Sequence, residues 1–232
     1  MLKDEEYEMK NRTALFPLIL GILALLCFLL AALLISSAVQ PPWGRTLLLL
    51  LPSIVLGGIA FLSRKGILGD RSTLVLTSVM TVVFLLLSVF YFFLLAIWTA
   101  TTETTDTKYY ARAYERIKEE ESVRELFPAA LPEDAEDVSF LYTPQFLQGG
   151  EVFQLSYRTT EDKLAEWIGR LEKAAVWIGT NEEWHRTHNS VFSGRDSTRY
   201  QLYWDGGFNH GKICYVLIDQ SDCRIEFYYS VW

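Results

Sequence analysis

Three stretches within the first hundred residues contain no charged side chain, and they limit what this chain can fold into more than any other feature. They are residues 14–39, 46–62 and 73–99. A hydrocarbon layer of ~30 Å is crossed by about 20 apolar residues in a helix, whose backbone then satisfies its own polar groups. The first and third stretches exceed that length. The second is shorter and carries Pro52 in its first half, where a kink is tolerated, so a re-entrant segment is its rival reading. The expected architecture is therefore a three-helix transmembrane region over 14–99, preceded by a leader at 1–13.

Ser36-Ser37-Ala38 has the small residues of a signal-peptidase site, yet the apolar stretch before it is longer than a usual signal-peptide core and the leader is acidic on balance. We read an uncleaved helix. Orientation follows from basic residues in short loops. Lys3, Lys10 and Arg12 lie in the leader, only Arg45 in the first loop, and Arg64, Lys65 and Arg71 in the second. Leader and second loop are expected in the cytoplasm, and an odd number of crossings then places everything after residue 99 outside it. Lys108, Arg112, Arg116 and Lys118 follow the third stretch and act against this bias, although translocated domains obey the charge rule less strictly. Trp43, Tyr91 and Trp98 are the residues expected at the interface.

Leu20-Gly21-Ile22-Leu23-Ala24-Leu25-Leu26 is echoed by Leu56-Gly57-Gly58-Ile59-Ala60-Phe61-Leu62. Small residues let membrane helices approach closely, so Gly21, Ser53 and Gly57 are candidate helix-packing positions, also for homo-oligomers formed through the membrane helices. With LILGILALL followed by VLGGIAFLSRKG, residues 14–71 resemble a glycine-bearing two-helix module of unknown function spread among bacterial membrane proteins. Pro41-Pro42 in the loop departs from its pattern. The resemblance implies a bacterial cell membrane and carries over no catalytic residue.

The charge is divided unevenly. Residues 1–99 hold 7 Lys/Arg and 5 Asp/Glu out of totals of 21 and 28, which leaves 14 and 23 for the remainder. Nucleic-acid affinity rests on neutralising phosphates with Lys and Arg, so an acidic domain without a basic run is expected to bind no nucleic acid. After a linker at 100–107, residues 108–232 read as an acidic α+β domain. Tyr110, Ala113, Tyr114 and Ile117 recur at helical spacing within 108–121, a candidate stalk. Alternation over 138–142 and 153–157, across a turn at Gly149-Gly150, predicts a hairpin. Thr159 with Asp162 has the form of a cap for a helix presenting Leu164, Trp167, Ile168, Leu171 and Ala175 on one face. Residues 179–197 read as a loop. Three strands follow, at 200–204, 212–219 and 223–231, with a turn at Gly206-Gly207. The expectation is an antiparallel sheet of five strands with one covering helix. Tyr203, Tyr228 and Trp232 are out of phase with the apolar residues of their strands. They form a candidate interaction surface, unless the stalk or the membrane covers them.

Chemical signatures are few. His185, His188, His210 and Cys214 are the residues from which a metal site would be built, but the carboxylates precede His185 rather than following it as in HExxH. No G-x-S-x-G elbow or phosphate-binding glycine loop occurs. Cys214 and Cys223 fall out of register across a hairpin, so two free thiols are expected. Charged residues inside spans mark ion and substrate paths, and these spans have none. The expectation is a non-enzymatic, cofactor-free module anchored in the bilayer, binding a protein or envelope component. The alternatives are a subunit of a transport or signalling complex and a metal-dependent envelope enzyme.

Overall fold

The computed structural model describes residues 2–146, 150–180, 182–184, 200–205 and 211–231. The chain divides into two compact units, Met1–Thr99 and Ala100–Trp232.

In the first unit, α1 (Leu2–Ser36) starts well ahead of the apolar stretch, because the charged leader continues the same helix. Next come α2 (Trp43–Thr46), a 3-10 turn (Leu47–Leu50) and α3 (Leu51–Arg64), which run on without a break. Pro52 lies in the first turn of α3, where its missing N–H would have had no partner. The second apolar segment therefore extends over Trp43–Arg64, 22 residues, and is longer than its uncharged stretch suggested. Helix α3 ends in a Schellman turn. Gly66 takes φ +73, its N–H donates to the Ser63 carbonyl, and the Ile67 N–H donates to the Leu62 carbonyl at 3.0 Å. Helix α4 (Asp70–Thr101) is 32 residues long. The three segments Thr13–Ser36, Trp43–Arg64 and Asp70–Thr101 are each long and apolar enough to cross a membrane.

Packing among these helices is uneven. At Gly21 an added Cβ would lie 3.5 Å from the Gly57 nitrogen, the Ser53 carbonyl oxygen and the Leu56 Cβ, so α1 and α3 touch backbone to backbone. Helix α4 is held less closely: 6 % of its apolar window is buried, against 39 % for the second segment. It is tied at both ends. Thr13 Oγ1 donates to Asp70 Oδ1 at 2.7 Å. At the other end the Arg45 guanidinium lies 3.6 Å from the centre of the Trp98 ring, and the Tyr91 hydroxyl donates to the Arg45 carbonyl at 3.0 Å.

The second unit is a six-stranded antiparallel sheet in the order β1-β2-β6-β5-β4-β3. The strands are β1 (Glu136–Thr143), β2 (Glu151–Arg158), β3 (Trp177–Thr180), β4 (Gln201–Trp204), β5 (Ile213–Asp219) and β6 (Arg224–Val231). The sheet has one strand more than expected. Strand β3 pairs with β4 in the segment whose later part reads as loop. It is only four residues long and contains Gly179, where a Cβ would lie 2.5 Å from the Trp177 ring. The glycine leaves room for the indole to fold over the strand. The expected turns at Gly149-Gly150 and Gly206-Gly207 involve residues outside those described.

The helices also differ from expectation. The stretch at 108–121 divides into α5 (Tyr110–Ile117) and α6 (Glu121–Leu126), because Glu120 takes an extended backbone and forms an ion pair with Lys212. Helix α7 (Glu161–Ala174) is capped by Thr160, whose hydroxyl accepts from the Lys163 N–H at 3.4 Å. Thr159 is not the cap. Its N–H still pairs with the Cys223 carbonyl and its hydroxyl donates to Asp134. One helix does not cover the sheet alone. Tyr110 of α5 packs on Phe140 and Phe153, Phe127 after α6 packs on Phe153 and Phe227, and Trp167 of α7 packs on Phe227. A second cluster of Trp184, Tyr200, Leu202, Trp204 and Leu217 is joined by Trp177.

The α1–α3 contact yields a prediction. Contacts at 3.5 Å are ordinary, so Gly21→Ala should leave stability in detergent almost unchanged. Gly21→Leu must drive the helices apart, and overpacking of this kind costs about 1–3 kcal/mol. Loss of helical signal as a denaturing detergent is titrated into each variant is the measurement, and equal stability for the alanine and leucine variants would refute the close contact.

Candidate functional site

Strand register decides which side chains share a face. Phe153 pairs with Tyr229, Leu155 with Phe227, Val216 with Phe227 and Tyr203 with Val216. All of these belong to the helix-covered face. Tyr203 is thus on the inner side, 2 % exposed. Tyr228 pairs with Tyr215, which pairs with Trp204, on the opposite face. The expected surface of Tyr203, Tyr228 and Trp232 is therefore not a single surface: Tyr203 and Tyr228 point to opposite sides, and Trp232 lies outside the described residues.

The face that bears Tyr228 holds the best-defined candidate site. The Tyr215 and Tyr228 rings stack at 4.9 Å, and both are half-buried. Toward the far end of the same strands is an ionic network. Arg158 bonds Asp137 and Asp222 at 3.0 Å each, Arg224 Nε bonds Asp222 at 3.2 Å, and Arg224 Nη1 donates to Ser156 Oγ at 3.1 Å. The pairing Arg158↔Arg224 across β2 and β6 brings the two guanidinium groups together, and the two aspartates neutralise them. Two positions beside the network depart from ordinary backbone: Asp137 within β1 and Cys223 in the turn before β6 each have φ 48. Asp137 forms an irregularity in β1 between Glu136 and Ser139. Nothing in the one-dimensional pattern pairs these four charges, since they meet only through the β1–β2 hairpin and the long-range pairing of β2 with β6.

Ser156 accepts its hydrogen bond from an arginine, which cannot serve as a general base. The network's two arginines face two aspartates, and the strand registers set Glu136 opposite Arg158 and Asp219 opposite Arg224 as further carboxylates beside them. Among the described residues no group of three His, Cys, Asp or Glu side chains is placed to hold a metal ion. Of the residues singled out for metal binding, His185, His188 and His210 lie outside the described residues. Cys214 is buried on the helix-covered face opposite Tyr229, and burial pushes its thiol up to about 12. The packing candidates Gly21, Ser53 and Gly57 are brought together in the first unit.

Cys214 and Cys223 are both free, and Cys223 sits in the turn before β6, away from the position paired with Cys214. In a Cys27→Ala background, the native chain at neutral pH should therefore react with a thiol reagent at Cys223 alone. Cys214 should react only after denaturation, and fast labelling of Cys214 in the folded chain would contradict its burial. The ionic network gives a pH prediction. A hydrogen bond from Arg224, with further help from Arg158, holds the Asp222 carboxyl below the usual carboxylate range. A depressed folded-state value contributes stability above the unfolded value of ~3.9, and that contribution disappears as pH falls through the folded value. Asp222→Asn should lower the unfolding temperature at pH 7 and leave it unchanged in strong acid. A shift of equal size at both pH values would exclude the ionic cause.

No protein-family model, curated protein or solved structure matches this chain.

Proposed function

We propose that this chain is a multi-pass cell-membrane protein whose acidic domain lies outside the cytoplasm and acts as a non-enzymatic binding or accessory module. The observation that carries this reading is the division of labour between the units. Three helices, each long enough to cross a bilayer, contain uncharged cores, and a separately folded α+β domain follows them. Spans without charge provide an anchor and no ion path. The contiguous outward-facing apolar surface, with Leu33 and Leu86 among many exposed side chains, is stable only in hydrocarbon or against a partner. The charge bias of the loops supports the orientation, with Arg64, Lys65 and Arg71 on the cytoplasmic side. Arg45, the one basic residue of the opposite loop, stacks on Trp98, an arrangement suited to the membrane interface. The half-buried Tyr215–Tyr228 pair supports recognition of a protein or envelope component.

Single cysteines in the 101–107 linker and in the 64–71 loop of the full chain, treated in whole cells with a membrane-impermeant thiol reagent, test the orientation. Labelling of the linker alone is expected. Labelling of the loop alone would invert the topology and place the binding domain in the cytoplasm. Turnover of envelope polymer by the purified full chain would overturn the non-enzymatic reading.

A further inference from the structure

At one end of the first unit, Arg45 stands without an opposite charge. The acidic residues within 1–99 are Asp4, Glu5, Glu6, Glu8 and Asp70. The first four lie at the start of α1, and Asp70 lies at the start of α4, bonded to Thr13. Arg45 lies in α2, beyond the other end of α1 and against the last turns of α4. Among the described residues its guanidinium forms no ion pair and gives no N–H to a hydrogen bond.

The group is nevertheless held in place. The Arg45 backbone N–H donates to the Pro42 carbonyl at 3.0 Å, and its own carbonyl accepts from the Tyr91 hydroxyl at 3.0 Å. The guanidinium carbon lies 3.6 Å from the centre of the Trp98 ring, so the indole covers one side of the guanidinium plane and takes none of its donors. The other side has room. Arg45 is exposed, and beside it Gly44 has nothing within 4 Å of where a Cβ would stand.

Charge and depth together select the ligand. A guanidinium fixed by stacking, with its donors free, matches two oxygens of a phosphate as a bidentate pair. Trp43 opens the second apolar segment, and Trp98 lies in the last turn of the third. Both are exposed. Tryptophan collects at the level of the lipid headgroups, and an arginine at the end of a span extends toward them. The phosphates of a bilayer are the anions present at that depth.

We propose that Arg45, positioned by Trp98, binds the phosphate of a phospholipid in the leaflet at this end of the helices. The inference rests on the reading that the three apolar helices span a membrane. It is independent of their orientation, since both leaflets carry phosphate.

The full chain, extracted in mild detergent, is mixed with equal amounts of phosphatidylglycerol and of monogalactosyldiacylglycerol, which has no phosphate, with matched acyl chains. Native mass spectrometry then reads which lipid stays bound. The wild type should favour phosphatidylglycerol. Arg45→Gln should lower that preference about tenfold, as expected for losing one charge-assisted pair. Arg45→Lys, which keeps the charge without the fork, should fall between them. Trp98→Ala should lower the preference without lowering the total lipid bound. No preference in the wild type, or an unchanged preference in Arg45→Gln, overturns the proposal. An equal loss from Arg64→Gln at the opposite end also overturns it, by assigning the effect to bulk charge. Displacement of the phospholipid by inorganic phosphate would assign the site to a soluble ion and overturn the lipid as its ligand. Before extraction, vesicles carrying the chain are washed at alkaline pH. Release of the chain into the wash would refute the membrane reading. A chain that stays with the vesicles and then shows no preference for phosphatidylglycerol refutes the phosphate site alone.

Discussion

A peptide group in hydrocarbon has no water to bond, so an apolar segment that enters a membrane must close its hydrogen bonds within itself. The three long apolar helices of the first unit meet that requirement, each closing its own backbone hydrogen bonds and leaving side chains to hold one helix to another. Lipid tails compete with leucine for leucine, so apolarity alone does not bind helix to helix. What remains is close approach at small residues, used where Gly21 meets Ser53 and Gly57, side-chain packing among Ala31, Ile35, Leu49 and Leu95, and polar ties at Asp70 and Arg45. The hydroxyls of Ser53, Ser63, Thr77 and Thr81 are shielded and have no hydrogen-bond partner among the described residues, so they add little to this cohesion. A unit built this way has its firmest contacts at the ends and along one helix pair, and its loosest region at mid-depth beside α4.

The second unit is held differently, by a core that it buries within itself. Antiparallel pairing sorts side chains by parity, and the aromatic residues fall on the faces that need filling. Phe140, Phe153 and Phe227 meet Tyr110, Phe127 and Trp167 from the helices. Tyr110 is fully covered, its hydroxyl donates to the Pro128 carbonyl, and burial raises its pKa. This bond holds the segment after α6 against α5, so the divided helix still acts as one lid. The helix divides at Glu120, whose backbone is extended and whose carboxylate pairs with Lys212.

The three apolar helices and the antiparallel sheet with its main helix are legible in the sequence, since each rests on a periodicity longer than a few residues. The short features are not. Strand β3 is four residues interrupted by glycine, too brief for alternation to register. Thr159 and Thr160 are adjacent and chemically identical, and only the pairing of Thr159 with Cys223 decides which of them caps α7. The second apolar segment looked short because Arg45 and Arg64 end its uncharged stretch, although the helix runs through both. The Arg158, Arg224, Asp137 and Asp222 network is not legible for a different reason: it depends on the β1–β2 hairpin and the long-range β2–β6 pairing at once, and composition fixes neither register.

The placement of Tyr203 shows how local alternation loses its meaning without a count of cores. In β6 the apolar phase, Ile225, Phe227 and Tyr229, faces the helices. In β4 the apolar phase is Leu202 and Trp204, and these face the second cluster around Trp184 and Leu217 on the other side of the sheet. If the domain had one core, residues out of phase in both strands would share a surface. Because it has two, one on each face, the out-of-phase residue of β4 turns inward beneath the helices and that of β6 turns away from them. The sheet spends its aromatic residues on both sides: Tyr215 packs against the tryptophan cluster, and Tyr228, stacked on it, carries that second core onto β6.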